Sequence, residues 1–236
     1  MARRATSGRS ELPPPLPPER RTVGQLVGEA IRLYAKHPWK ALALGLPVAL
    51  VNAIVWGAPG SGRITAAVAG AFLVTGSYVV ACSIVTQTPL RSRNALVAYV
   101  LGVLVFVPFA FLVELFVLPG LIWLSLFGLA VPVALVEGLR PRDSLVRALL
   151  LARADFVHVL GGLATLAIVA FLTQAALFFV LRELAENTRV AAAALASIVV
   201  SPVVFLGAAL LYVDQEARMT ATTRRRIATL TRRTGF

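Results

Sequence analysis

The segment that decides the fold runs from residue 95 to residue 136 and reads ALVAYVLGVLVFVPFAFLVELFVLPGLIWLSLFGLAVPVALV. Its 42 residues contain one charged side chain, Glu114, and one strong turn signal, Pro119-Gly120. One continuous helix of this length would be about 63 Å long, whereas the hydrocarbon core of a bilayer is about 30 Å thick. The segment therefore predicts two membrane-spanning helices joined by a turn at Pro119-Gly120.

The composition of the whole chain supports a membrane protein. Of its 236 residues, 58% are hydrophobic and 14% are charged, against about 45–50% and 25% in typical soluble domains. Its formal net charge of +12 could indicate a nucleic-acid-binding protein, but the arginines flank apolar segments. That placement is typical of helix ends that meet anionic lipid headgroups. We therefore predict a bilayer partner, with anionic lipids at the cytoplasmic face, and no nucleic acid.

Apolar segments recur along the chain and define its domain organisation. They predict an all-α polytopic transmembrane bundle with about six spans, near residues 38–56, 64–86, 95–118, 120–136, 156–181 and 190–213. The fourth segment has only 17 residues, so a re-entrant segment is the alternative to a full span. A short Gly, Pro and Ser turn is expected at residues 57–63.

The segments outside the spans are expected to be interfacial helices or tails. Residues 22–37 place Leu26, Ala30 and Tyr34 on one helical face, which predicts an amphipathic interfacial helix capped by Thr22. Residues 141–155 predict a second such helix, with Leu145, Leu149, Ala152 and Phe156 on its apolar face and Leu150 and Leu151 towards its polar side. Residues 214–236 predict a basic cytoplasmic tail with a third, weaker interfacial helix. The Pro-rich and Arg-rich residues 1–21 predict a disordered tail, a spacer rather than a ligand for a peptide-binding module.

The basic residues predict an orientation. With six spans, 20 of the 23 Lys and Arg residues fall on one side of the membrane. The positive-inside rule then places both termini in the cytoplasm, with the protein in the plasma membrane. Removing the fourth span would move the C-terminal arginines outside, so the charge pattern favours a full span. An amphipathic helix followed by a span also occurs twice, which predicts a parallel repeat.

Few side chains are suited to catalysis. Cys82 lies within an apolar span, and His37 and His158 are expected to end cytoplasmic-side helices, where the helix dipole favours them. No nucleophile, phosphate-binding or metal-binding motif occurs, so we predict neither an enzyme nor a cofactor. Glu114 and Glu137 lie near membrane interfaces, which favours helix anchoring or pairing over ion handling. Asn52 and Gln174 can form hydrogen bonds between spans, and Asp214 is expected to pair with Arg218 at i,i+4.

Several short motifs occur in a characteristic order. They are Leu118-Pro119-Gly120, Pro132-Val133, Val136-Glu137-Gly138, a helix from Ser144 to Leu151 that contains Arg147 and is followed by Arg153 and Gly161, and Leu211-Tyr212-Val213-Asp214 with Arg218. This order resembles the bacterial membrane-domain family named after the glycerophosphoryl diester phosphodiesterase membrane domain, together with related membrane domains of unknown function. The sequence departs from the family pattern at Val146, Ala148, Ala154, Gln215 and Ala217.

The resemblance implies a six-helix membrane module that brings Glu137, the Arg147 helix and the Asp214/Arg218 segment to one cytoplasmic face. We expect no catalytic domain, and hence no phosphodiesterase activity, in these 236 residues. The candidate motif and interhelix residues are Glu114, Pro119, Gly120, Glu137, Gly138, Arg147, Arg153, Tyr212, Asp214 and Arg218.

Two functions agree with these observations. The first is a non-enzymatic membrane module that organises or supports envelope proteins or lipids, with a membrane-protein partner or a second copy of the chain as a possible associate. The alternative is a component of a small-solute or lipid transporter or channel. Interior prolines in four spans (Pro47, Pro108, Pro132 and Pro202), together with Asn52, Glu114 and Gln174, motivate the alternative.

Overall fold

A computed structural model describes residues 17–181 and 186–234, without the side chains of residues 61, 178, 181, 186–190 and 225–234. The described chain is helical and contains no strand. Its helices are α1 (Val23–Lys36), α2 (Pro38–Gly57), α3 (Gly60–Thr86), α4 (Ser92–Leu115), α5 (Val117–Phe127), α6 (Ala130–Glu137), α7 (Pro141–Ala154), α8 (Phe156–Leu181) and α9 (Glu186–Thr234), with a short 3-10 turn at Pro18–Arg20. Six helical segments of the described chain are long and apolar enough to cross a membrane, which confirms the all-α polytopic bundle.

Helix α9 is the principal packing partner in the bundle. It contacts α1, α2, α3 and α8 along its length, while α3 also packs against α4, and α4 against α5 and α6. Helix α7 lies against α5, α6 and α9 at the end of the bundle where α8 begins. Large apolar side chains face outward from the described spans, including Trp39 at 82%, Leu115 at 70% and Phe171 at 70% exposure. An outward apolar surface of this extent is what a lipid environment requires.

The first amphipathic helix forms as its sequence pattern indicates. Thr22 and Gln25 form a reciprocal capping box, in which the Thr22 hydroxyl accepts from the Gln25 amide and the Gln25 side chain accepts from the Thr22 amide. Leu26 and Ala30 are fully buried.

The buried face of α7 differs from the predicted one. Ser144, Ala148, Leu151 and Ala152 are all fully buried, so the prediction of Leu151 on the polar side was wrong. Because α7 contacts helices on more than one side, tertiary packing decides its buried face.

The two amphipathic-helix units share their local geometry. Helices α1 and α7 each have 14 residues, and a single residue separates each of them from the span that follows. That residue is His37 in the first unit, with φ −135° and ψ 61°, and Asp155 in the second, with φ −151° and ψ 71°. The two units therefore share helix length and the conformation of the joining residue, and the parallel repeat stays a prediction.

The turn between the third and fourth spans is not at Pro119-Gly120. Helix α4 ends at Leu115, Phe116 is extended with φ −158°, and α5 begins at Val117. Pro119 lies in the first turn of α5, where an amide lacks an intrahelical partner in any case. Gly120 is buried, and a Cβ there would lie 2.9 Å from Val113 Cγ2. Its role is thus to permit close packing of α5 on α4.

The fourth span is a broken helix. Helices α5 and α6 are separated at Gly128-Leu129 and together form a 21-residue apolar segment, Val117–Glu137. Helix α6 ends at Gly138, whose φ of 63° lies in the left-handed region that glycine adopts without a steric penalty.

Three other predicted boundaries are wrong. Residues 60–63 belong to the first turn of α3, not to a turn. Helix α9 continues past Asp214 to Thr234, so residues 214–234 extend the last span and do not form a separate tail or interfacial helix. Arg21, assigned to a disordered tail, is 9% exposed and packs against α9. The predictions for residues 1–16, 182–185 and 235–236 lie outside the described residues.

Candidate functional site

The end of the bundle where α7 lies contains a part-buried ion pair. Arg147 Nε is 3.3 Å from Glu137 Oε1, which joins α7 to the end of α6. The Tyr212 hydroxyl donates to the same carboxylate oxygen over 3.4 Å, and Arg147 Nη1 lies 3.2 Å from Met219 Sδ. The structure therefore brings Glu137, Arg147 and Tyr212 together.

A second, buried cluster lies at the same end and involves the N-terminal segment. Arg21 Nη1 is 2.5 Å from Asp214 Oδ1, and the Asp214 side chain is completely buried. Arg218 donates from Nη1 to Asp155 Oδ2 over 2.6 Å and from Nη2 to the Arg21 carbonyl oxygen over 2.8 Å. Asp155 Oδ1 also accepts from the His158 amide and so caps α8. We call Arg21, Asp155, His158, Asp214 and Arg218 the ionic cluster.

Two sequence expectations about the ionic cluster were wrong. Asp214 pairs with Arg21, and Arg218 pairs with Asp155, so the expected i,i+4 pair is replaced by two tertiary pairs. His158 does not end a helix but lies in the first turn of α8, with Nε2 3.7 Å from Asp214 Oδ2.

The remaining motif residues lie outside the Glu137–Arg147 ion pair and outside the ionic cluster. Gly138 ends α6, and Pro119 and Gly120 lie in the first turn of α5. Arg153 is exposed in the last turn of α7. Within the part of the chain that the structure describes, no group of three or more His, Cys, Asp or Glu side chains could hold a metal ion.

A cavity of about 400 Å³ lies among α2, α3, α4, α5, α8 and α9. Its lining along α8 extends from Val159 to Gln174. These two positions are fifteen residues apart, which corresponds to about 22 Å along the helix, so the lining runs along the bundle. Most of its lining is aliphatic or aromatic.

The two ends of the cavity differ. Leu129, Val159 and Leu211 line the end near the ionic cluster and are each at most 2% exposed, so this end is closed. Glu114 and Gln174 line the other end and are exposed, so that end is open. The sequence had singled out Glu114 and Gln174 separately, and the structure places both at one opening.

Asn52 also lines the cavity, and its amide orientation follows from its hydrogen bonds. The Ser197 hydroxyl gives its single hydrogen to the Ala193 carbonyl oxygen over 3.0 Å. Ser197 Oγ can then only accept from Asn52, whose Nδ2 lies 3.0 Å away. The Asn52 carbonyl oxygen is the group that this bond leaves available as an acceptor. The hydrogen bond between spans expected for Asn52 is thus present, from α2 to α9.

Sequence reasoning missed Arg21 and Asp155. Asp155 immediately precedes an apolar helical segment, which is the N-cap signal that would have identified it. Arg21 carries no comparable signal, because its partner is 193 residues away.

No protein-family model, curated protein or solved structure matches this chain.

Proposed function

We propose that this protein is a non-enzymatic, multi-pass membrane module that binds a membrane amphiphile and holds its apolar chain within the bundle. The observation that carries the proposal is the cavity, closed beside Leu211 and open beside Glu114. The sequence predicts a module that organises or supports lipids, and amphiphile binding is a more specific form of that role.

The shape and lining of the cavity favour an alkyl chain over a polar solute. Its volume of about 400 Å³ is in the range of small-molecule sites, about 300–1,000 Å³. Its lining along α8 extends over about 22 Å, which is comparable with the hydrocarbon core of one to two leaflets, about 15–30 Å. An alkyl chain that enters this lining leaves one apolar environment for another, so the fit depends on close packing and on the polar groups at the opening.

The cavity chemistry supports binding without catalysis. Among the described lining residues, Glu114 is the single carboxylate, and the other polar side chains are Asn52, Tyr78, Gln174 and Ser201. A hydrolytic site would need a nucleophile paired with a base, or two carboxylates. No cofactor is part of this proposal.

The proposal also covers the membrane, the orientation and the partners of the protein. We place the protein in a bacterial plasma membrane with both termini in the cytoplasm, because 20 of the 23 basic residues then lie on the cytoplasmic side. We also propose that anionic lipids contact that face. The protein would associate there with another membrane protein or with a second copy of itself. The resemblance to the glycerophosphoryl diester phosphodiesterase membrane domain stays a prediction.

A transporter or channel component is the second candidate, since Asn52, Glu114 and Gln174 all line the cavity. The closed end beside Val159 and Leu211 favours binding over conduction. Water-soluble thiol reagents applied to Asn52→Cys and Gln174→Cys, each in a Cys82→Ser background, test this candidate. Labelling of both sites from both sides of the membrane would favour transport, and failure to label either site would exclude it in this form.

Filling the cavity tests amphiphile binding. Ala67→Trp and Ala170→Trp place an indole in the lining, whereas Ala69→Trp and Ala176→Trp place it at exposed positions of the same helices. Each protein is reconstituted with a phospholipid that carries a photoreactive group on its acyl chain, and crosslinked peptides are identified by mass spectrometry. We expect crosslinks to the cavity-lining parts of α8 and α9 in the wild type and in both control variants, and their loss in both filling variants. Crosslinks confined to outward-facing residues in the wild type would overturn the proposal.

A further inference from the structure

The open end of the cavity presents hydrogen-bond acceptors. Glu114 is the penultimate residue of α4, and its carboxylate accepts but does not donate when ionised. The Asn52 amide is oriented by Ser197 so that its carbonyl oxygen remains available. Two acceptors from different helices, α2 and α4, thus line the same cavity.

These acceptors lie at the same end of the bundle. Helices α2, α4 and α8 all run away from the end that holds the ionic cluster. Asn52, Glu114 and Gln174 lie in the second half of each of these helices. The apolar remainder of the cavity extends from them towards Val159 and Leu211. A ligand that fits must therefore have a hydrogen-bond donor at one end and an apolar chain behind it.

The charge of the lining narrows the class of ligand. Among the described residues that line the cavity, Glu114 carries the one ionisable carboxyl group and no Arg, Lys or His side chain accompanies it. Aromatic side chains, Phe109 among them, line the adjacent part of α4 and add electron-rich faces that attract cations. An anionic head would be repelled by the Glu114 carboxylate, whereas a cationic head would be attracted to it.

We propose that the amphiphile bound in this cavity carries a protonated amine, with the ammonium held by Glu114 and Asn52 and the alkyl chain in the closed apolar part. This inference rests on the proposed amphiphile binding and adds the chemistry of the head group. Gln174 borders the head from α8, where its amide can supply a further acceptor. The ammonium can belong to an ethanolamine phospholipid or to a free long-chain amine, and both share the recognised group.

A chain of constant length with different head groups tests the inference. The full-length protein in phosphatidylcholine nanodiscs is titrated with dodecylamine, dodecanol and dodecanoate below their aggregation concentrations, with empty nanodiscs as the blank. We expect dodecylamine to bind at least about ten-fold more tightly than dodecanol, because its ammonium adds a full positive charge opposite the Glu114 carboxylate and the hydroxyl of dodecanol does not. Dodecanoate should bind most weakly of the three.

Two variants make the test specific. Glu114→Gln removes the charge at nearly constant size and should abolish the preference for dodecylamine over dodecanol. Glu29→Gln makes the same change on the amphipathic helix α1, outside the cavity, and should leave the preference intact. Asn52→Leu should reduce the preference less than Glu114→Gln does, since it removes a neutral acceptor.

The outcomes separate the inference from the proposed function. Equal binding of all three chains would overturn the ammonium assignment and leave amphiphile binding standing. Binding of none of them would overturn both. If dodecylamine binds preferentially, repeating the titration in nanodiscs that contain phosphatidylethanolamine identifies the source. Competition would assign the ammonium to the lipid, and unchanged affinity would assign it to a free amine.

Discussion

Arg21 and Asp214 form a salt bridge, with 2.5 Å between Nη1 and Oδ1, across 193 residues of sequence. The pair holds the chain just before α1 against the middle of α9. Arg218, one turn further along α9, binds the carbonyl oxygen of the same Arg21, so both the side chain and the backbone of this residue are held. The ionic cluster therefore positions α1 at the end of the bundle.

We expect Arg21→Met to lower the free energy of unfolding by about 3–5 kcal/mol, because it leaves the Asp214 carboxylate buried without its partner. The double variant Arg21→Met/Asp214→Leu should be markedly more stable than Arg21→Met alone. Unfolding in mixed micelles provides the measurement. Arg32→Met is the control, since the Arg32–Glu29 pair is partly exposed and contributes about 0–1 kcal/mol. If Arg21→Met and Arg32→Met lost equal free energy of unfolding, burial would not make the Arg21–Asp214 pair more stabilising than the exposed pair.

The contact between Glu137 and Arg147 predicts energetic coupling between α6 and α7. We expect a double-mutant cycle of Glu137→Ala and Arg147→Ala to give an interaction energy of at least about 0.5 kcal/mol. The folded yield of Glu137→Ala should fall, since Tyr212 loses its acceptor as well. Arg153→Ala provides the control, because Arg153 is exposed on the same helix. A cycle in which Glu137 couples no more strongly to Arg147 than to Arg153 would argue against the contact.

Two glycine substitutions should have opposite effects on stability. Gly45 lies where α2 packs closely on α9, whereas Gly161 on α8 has open space around it. A Cβ at Gly45 would lie 2.6 Å from Ile198 Cα, a backbone atom that cannot move without displacing α9. We expect Gly45→Ala to reduce folded yield severely. A Cβ at Gly161 would meet nothing within 4 Å, so Gly161→Ala should stabilise helix α8 by about 0.5–1 kcal/mol. Thermal unfolding of both variants measures the difference, and wild-type stability in Gly45→Ala would show that the helices are not in contact there.

The sequence predicts the spans well because hydropathy is a local property that each apolar segment carries on its own. It predicts their ends less well. Pro119-Gly120 is the strongest turn signal in its segment, yet the chain turns at Phe116, and Gly120 instead lies where α5 packs closely on Val113. The buried face of α7 was missed for a similar reason, since contacts with three other helices outweigh its own periodicity.

The candidate site was predictable in its parts but not in its arrangement. Asn52, Glu114 and Gln174 are conspicuous as polar residues within apolar spans, and this made them candidates. Their convergence on one cavity depends on how α2, α4 and α8 are placed around α3 and α9, which no periodicity encodes. The same is true of the ionic cluster, whose members come from the chain before α1, the start of α8 and the middle of α9.

The fourth span predicts a definite sidedness for the loops that flank it. If α5 and α6 together cross the membrane, Phe116 and Arg142 lie on opposite sides. Pro59 and Leu90 flank the span α3 and provide a reference pair on opposite sides. All four residues are exposed, so we would introduce Phe116→Cys, Arg142→Cys, Pro59→Cys and Leu90→Cys singly in a Cys82→Ser background. Intact cells or right-side-out vesicles are then treated with a membrane-impermeant thiol reagent.

We expect the cysteines at residues 59 and 116 to be labelled from outside, and those at residues 90 and 142 only after the membrane is opened. This pattern follows from the basic residues that flank the latter pair. Labelling of residues 116 and 142 from the same side would show that α5 and α6 re-enter the membrane without crossing it. The arginines after Asp214 would then lie outside, against the positive-inside rule. The break at Gly128-Leu129 would in that case be the tip of the re-entrant segment, not an interruption within a span.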